Sequence, residues 1–286
     1  MTSRPSASAV ARPLANFFWN LALDVRSVPH RLRRGAARPP LPWNVFHNVG
    51  GAEYDLVGAT LLKRFQRRGL APDHHVLDIG CGTGRVAAPL QGFLGPDARY
   101  IGFDVSARAV RWCGRHLEPR RSGFSFHHAD IYNAEYNRGG SVAGDAYSFP
   151  CADGSVDFAF ATSVFTHMQT AEVSHYIKEI ARALRPCGFG CASFFILNDE
   201  ARTAMADGRA DAFFVEGQNG AFVVSHAAPG QAVAYEEAQL KDLLSGAGLT
   251  VDAPVEYGAW TGRKGAAGRQ DFIWFRKPGA ATRGQG

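Results

Sequence analysis

No Cys-x-x-C pair occurs among the five cysteines Cys81, Cys113, Cys151, Cys187 and Cys191, which excludes the ligand spacing of zinc sites and dithiol redox motifs. An odd count also argues against a disulfide framework, and a chain of 286 residues buries enough apolar surface to need no staple. A reduced, cytoplasmic setting is therefore expected, with no structural metal. No apolar run is long enough to span a bilayer. The island from Leu14 to Val28 is too short and too polar for that, and it is not followed by the small-residue cleavage site of a signal peptide. Low-complexity composition is missing as well: 46% hydrophobic and 20% charged residues exclude disorder and collagen-like repeats.

A strong charge on the main body is also lacking. The formal net charge is +5, but seven arginines (Arg4, Arg12, Arg26, Arg31, Arg33, Arg34, Arg38) against Asp24 place +6 in residues 1–42. Residues 43–286 are thus nearly neutral, so the basic balance belongs to an N-terminal extension and gives no sign of a nucleic-acid groove. Within that extension Leu14, Phe17, Phe18, Leu21, Val25 and Val28 recur at helical spacing. The stripe fits a helix packed on the body or on a partner, a disordered tail, or a helix lying on a membrane surface. Pro39, Pro40 and Pro42 mark the boundary.

From residue 55 onward the pattern alternates helix and strand. Asp55 to Arg68 carries Leu56, Ala59, Leu62 and Phe65 at helical spacing and stops at Gly69. Short apolar runs read as buried strands at 75–79, 100–103, 124–127, 158–161, 190–197 and 271–275, with helices at 107–116, 171–184 and 236–247. Interleaving of this kind predicts an α/β fold: a doubly wound, mostly parallel sheet with helices on both faces. Ligands of such sheets sit at the carboxyl ends of the strands.

The first strand end reads Val76-Leu77-Asp78-Ile79-Gly80-Cys81-Gly82-Thr83-Gly84-Arg85. Glycines at 80, 82 and 84 let the backbone turn tightly and approach a ligand. A dinucleotide fingerprint needs glycine where Arg85 stands, so that reading drops. With its acid two places before the first glycine, the segment resembles the first motif of class I S-adenosylmethionine-dependent methyltransferases. The second run ends at Asp104, 20 residues past Gly84, where a nucleoside-binding fold places its ribose carboxylate. The third ends at Asp130. In the resembled family such an acid accepts from the adenine amino group, with Ile131 and Val105 flanking the ring. Each Asp alone is also an ordinary cap or turn residue; three in order along one sheet edge favour the joint reading.

The likeness continues through Ser148-Phe149-Pro150, Asp153 to Phe160, Ser163 to Met168, and Glu179 to Gly188, as in the small-molecule branch of that family. The turn before the fifth strand is Pro186-Cys187-Gly188 where the family usually has Pro-Gly-Gly. The resemblance implies a seven-stranded Rossmann-like methyltransferase sheet and S-adenosyl-L-methionine as cofactor. It implies Asp78, Gly80, Gly82, Gly84, Asp104, Val105, Asp130, Ile131 and Ser163 as cofactor-binding residues. A sulfonium methyl is already activated, so the protein's task is to align an acceptor and exclude water, and no metal is called for. His167, just past the fourth strand, is the candidate general base, or else a residue packing at the start of the helix near Gln169. The paired histidines 74–75 and 127–128 face opposite ways on their strands and cannot converge.

Residues 199–234 form an insertion whose Phe213-Phe214-Val215 and Phe222-Val223-Val224 surround Asn219-Gly220, a hairpin pattern that reads as a lid or as an edge hairpin with no direct role. Trp43, His47 and Tyr54 are placed to close the methionine end of the cofactor. Ala161-Thr162-Ser163-Val164 lacks the Asn/Asp-Pro-Pro-aromatic pattern of base N-methylating relatives, and no Cys with a Pro partner ends the fourth or fifth strand. The expected acceptor is thus a hydroxyl or amine of a small metabolite or glycan, rather than nucleic acid. Two other readings stay open: an inactive nucleoside-binding scaffold, and an RNA-modifying enzyme using the Arg-rich arm.

Overall fold

The structure, a computed structural model, describes residues 54–279 apart from 134–136 and 138, together with Val25. The N-terminal stripe, Trp43 and His47 lie outside the described residues. Strands β1 (Val76–Ile79), β2 (Tyr100–Asp104), β3 (Phe124–His128), β4 (Val156–Ala161), β5 (Leu184–Phe194), β10 (Thr250–Glu256) and β11 (Asp271–Arg276) form one sheet in the order β10-β11-β5-β4-β1-β2-β3. The pairs β1–β2, β1–β4, β2–β3 and β4–β5 are parallel, and β11 runs antiparallel to β5 and β10. Strand order reverses between β1 and β4, so a crevice opens beyond their carboxyl ends.

Every residue of β1 and β4 is buried, which explains why their runs are apolar apart from Asp78 and Asp157. Leu77, Ile79, Ala159 and Ala161 face helices α4 (Thr170–Ala183) and α6 (Glu237–Gly246). Val76, Phe158 and Phe160 face α1 (Tyr54–Arg67), α2 (Ala87–Phe93) and α3 (Ala107–His116). Local chemistry sets the helix starts. Ser106 Oγ accepts from the Ala109 N–H (3.3 Å) at α3, and Gln169 with Glu172 forms a capping box at α4.

Three segments differ from the sequence expectation. The apolar run at 190–197 is not one strand. β5 ends at Phe194, and β6 (Ile196–Leu197) belongs to a second sheet with β7 (Val215–Glu216), β8 (Ala221–Val223) and β9 (Val233–Glu236), in the order β6-β9-β8-β7. The expected hairpin exists as β7–β8, but it is the outer half of this sheet, over a satellite core of Phe195, Leu197, Phe214 and Trp260. The insertion also contains helix α5 (Asp199–Ala206), capped by Asn198 Oδ1 on the Ala201 N–H (2.9 Å). Finally, the Pro186-Cys187-Gly188 turn is an irregularity inside β5, where register shifts between Val156 and Phe158 and Cys187 takes φ +66°. Among the described residues no helix is long and apolar enough to cross a membrane.

Candidate active site

A cavity of about 450 Å³ opens beyond the carboxyl ends of β1, β2 and β4. Of the residues expected from sequence, its lining takes in Asp78, Gly80, Gly82, Asp104, Val105, Ile131, Ser163 and His167; Gly84 and Asp130 stand outside it. The glycine loop is folded back over the end of β2, because the Gly80 and Cys81 N–H groups both donate to the Phe103 carbonyl (2.9 and 3.0 Å). A Cβ on Gly82, which has φ +52°, would meet no protein atom within 4 Å, so the backbone here borders open cavity where a ligand can come close. Gly84 is a packing position instead: a Cβ there would overlap Leu117 Cδ1.

Two carboxyls sit in this wall. Asp104 accepts from the Gly82 N–H (2.8 Å) with one oxygen and from the Ser106 N–H (2.7 Å) with the other. It thereby ties the glycine loop to α3 and keeps one lone pair on each oxygen for a further donor. Burial pushes its pKa up, against those two backbone donors. Asp78, 2% exposed, accepts from the Tyr100 hydroxyl (2.6 Å). Burial raises its pKa from 3.8 to about 7, Asp104 adds repulsion, and the Tyr100 hydrogen bond and Arg85 oppose the rise. Burial likewise pushes down the pKa of Arg85, which also lines the cavity. Tyr54 begins α1, and its hydroxyl donates to the Thr83 carbonyl in the glycine loop (2.6 Å).

Asp130 stands outside the lining. It is exposed, and its carboxylate accepts from the Ser141 hydroxyl (2.6 Å) and the Asn137 amide (3.4 Å), which hold its pKa down. It organises the loop after β3, while Ile131, Tyr132 and Asn133 present that loop to the cavity.

On the other side, Ser163 to Met168 lead from β4 into α4. His167 ends a single 3₁₀ turn, Phe165–His167, and its Nδ1 lies 2.9 Å from the Gly230 carbonyl oxygen. A carbonyl only accepts, so Nδ1 carries the hydrogen and Nε2 of the neutral ring is the basic nitrogen. The insertion also meets the start of α4, where the Thr170 hydroxyl donates to the Asn219 carbonyl (2.8 Å), and just past the insertion the Tyr235 hydroxyl of β9 donates to the Met168 carbonyl (2.6 Å). No described residue of 199–234 lines the cavity itself; the insertion holds the His167 ring and Thr170 through its Gly230 and Asn219 carbonyls. Arg85, Glu172 and Tyr176, also in the lining, are site residues that the sequence reading does not single out. Met168, Glu172 and Tyr176 recur every four residues from the strand end into α4, a face signal by which two of them could be found. Burial raises the pKa of Glu172.

The residues fit S-adenosylmethionine: a glycine backbone bordering open space, a half-buried carboxyl, Asp104, with a lone pair on each oxygen free for hydroxyl donors, and a second, buried carboxyl, Asp78. The comparisons agree. A family described as "Methyltransferase domain" matches residues 77–192. An O-methyltransferase of Penicillium expansum, cnsE, is 30% identical over 120 residues, covering 41% of this chain and 36% of that protein. The malonyl-[acyl-carrier protein] O-methyltransferase of Methylococcus capsulatus is 30% identical over 132 residues, covering 46% and 41%. The chain thus spans well under half the length of these curated relatives. Among solved structures, the PH0226 protein of Pyrococcus horikoshii OT3 superposes with a TM-score of 0.55 at 17% identity, over 82% of this chain and 95% of that one. A SAM-dependent methyltransferase of Methanosarcina mazei does so at 0.52 and 20%, over 76% and 98%. At such identities the likeness establishes the fold. Residues 77–192 match the methyltransferase-domain family, and the seven-stranded sheet has the fold of the solved SAM-dependent methyltransferase of Methanosarcina mazei.

Proposed function

We propose that the protein transfers the methyl group of S-adenosylmethionine to a hydroxyl, or an amine, of a small metabolite or glycan, with His167 as general base. The observation that carries this reading is one cavity joining the glycine loop and Asp104 to a histidine whose Nδ1 is committed to the Gly230 carbonyl. When bound, S-adenosylmethionine would supply a sulfonium-activated methyl to the acceptor in a single displacement, with S-adenosylhomocysteine as the leaving group. Asp104 and Asp78 would hold its ribose and ammonium groups, and Val105 and Ile131 would flank its base. His167 Nε2 takes the proton that the acceptor gives up. The braced loop from Ser163 to Met168 fixes that nitrogen and limits the access of water. The O-methyltransferase relatives favour oxygen as the acceptor atom, and the neutral body favours a small acceptor over nucleic acid.

The test is calorimetric binding of S-adenosylhomocysteine to the full chain, followed by an acceptor panel of phenols, sugars, carboxylates and amines read by release of S-adenosylhomocysteine. The reading expects turnover on a hydroxyl or amine. His167→Ala then lowers turnover roughly 100-fold or more, the range of a general base, at unchanged cofactor affinity. Full turnover by that variant at every pH removes His167 from the base role. Cofactor binding with no turnover on any acceptor favours the scaffold reading instead.

A further inference from the structure

Ser163, the second residue past β4, is held in a conformation that L-residues avoid: its φ is +60°, in the left-handed region. Such a residue persists only where its surroundings over-determine it. Here the hold comes from β5 and from the residue that precedes β11, both distant in sequence. The Ser163 N–H donates to Ser193 Oγ on β5 (2.7 Å), and its hydroxyl donates to Gln270 Oε1 (2.9 Å). The Ser193 hydroxyl donates to the same Gln270 oxygen (2.8 Å), while Gln270 Nε2 reaches Thr166 Oγ1 (3.4 Å). One amide thus accepts twice and donates once, and each hydroxyl has a complementary role. Ser193 and Thr166 have no exposed surface, so an unpaired group among them would be costly.

Gln270 is itself placed by its neighbour. The buried Asp271 carboxylate accepts from the Ile196 and Gly258 N–H groups (both 2.7 Å) and from Trp260 Nε1 (2.8 Å). Successive residues of an extended segment face opposite ways, so anchoring Asp271 beside the satellite core turns Gln270 toward the loop after β4. What this network fixes is cavity wall: Ser163, Val164 and His167 line the cavity, and Val164 lies so close to Gly80 that any side chain there would overlap it.

We infer that Gln270, far outside the family-matched span of residues 77–192, is a positioning residue for the cofactor cavity, selecting the left-handed form of Ser163 and with it the wall the cofactor binds. The inference rests on the proposed function. With the network cut, Ser163 relaxes to an ordinary backbone region, and apparent affinity falls in proportion to the fraction still competent.

The experiment measures S-adenosylhomocysteine affinity by calorimetry and thermal unfolding for the full chain and its variants. Gln270→Leu raises the dissociation constant roughly five- to thirtyfold, the population factor matching the left-handed penalty of an L-residue. In a Ser163→Gly background, where the left-handed form carries no penalty, the same substitution changes it less than about twofold. A merely structural role predicts an equal loss in both backgrounds. Ser193→Ala, a smaller truncation, repeats the comparison should Gln270→Leu fail to fold. If the wild-type chain binds the probe and Gln270→Leu binds it equally well, or if glycine at 163 does not relieve the loss, the inference is overturned and the proposed function stands. If the wild-type chain does not bind the probe, both fall.

Discussion

Replacing Asp78 by asparagine separates the stability of the fold from the demands of the cavity. The amide keeps the shape and still accepts from the Tyr100 hydroxyl, but it never ionises. In the wild-type chain burial has raised the Asp78 pKa from 3.8 to about 7. Between those values the folded protein keeps a proton that the unfolded chain has released, so wild-type stability falls as pH rises from about 4 to 7 and then levels off. The whole interval corresponds to about 4 kcal/mol as an upper bound, at ~1.4 kcal/mol per pH unit. Asp78→Asn lacks this slope. Its advantage over wild type, measured by thermal or urea unfolding without cofactor, is therefore expected to widen by about 2–3 kcal/mol between pH 5 and pH 8, or roughly 5–10 °C in melting temperature. Binding moves the other way: if Asp78 meets the cofactor's ammonium group, the ionised form is the useful one. Wild-type affinity for S-adenosylhomocysteine then rises with pH through about 7, and the asparagine variant binds weakly at all pH values. Tyr100→Phe removes the hydroxyl that favours the charged form, leaves the stacked contact with Phe124 (centroids 4.7 Å apart), and pushes the transition to still higher pH. Equal pH slopes for wild type and Asp78→Asn would refute the reasoning.

The roles of Gly82 and Gly84 in the glycine loop are separable. Gly84→Ala forces a Cβ into Leu117 at φ +76° and is expected to cost about 2–3 kcal/mol of stability, read by urea unfolding. Gly82→Ala meets no atom; it costs about 1 kcal/mol for its φ of +52° but puts a methyl into the cavity, so calorimetry shows the larger loss in cofactor affinity. In β5, Cys187 is exposed at φ +66°, and Cys187→Gly is expected to raise stability by about 0.5–1 kcal/mol; a lower denaturation midpoint would show that the irregularity is not strained.

The parts legible in the sequence are those fixed by local pattern. The runs at β1 and β4 are apolar apart from Asp78 and Asp157 because both faces of a central parallel strand are covered, and the glycine spacing after β1 marks a turn that lets backbone approach a ligand. β10 escapes such reading. Thr250 to Glu256 contains Pro254 and two acids, and none of its residues is buried, since it is an edge strand whose place is decided by pairing with β11. The run from Gly190 to Leu197 misleads for the opposite reason: it is apolar on both sides of Phe195 because it passes from one core into another, and nothing local marks the change of sheet. α5 escapes notice although Asn198, a cap, precedes two acids in its first turn.

The same division holds within the site. The position of Asp130 at a strand end follows from the run before it, but the direction of its side chain is settled by Ser141 and Asn137, donors supplied by the next loop. Gln270 is the converse case, a residue with no motif around it, brought to Ser163 by an antiparallel strand more than 100 residues downstream. Residues that meet the cofactor through backbone turns are therefore readable one segment at a time, whereas those that hold the turns in place are chosen by tertiary contact. The Ser163→Gly background separates the two kinds: it removes the need for the hold without touching Asp104 or the glycine loop.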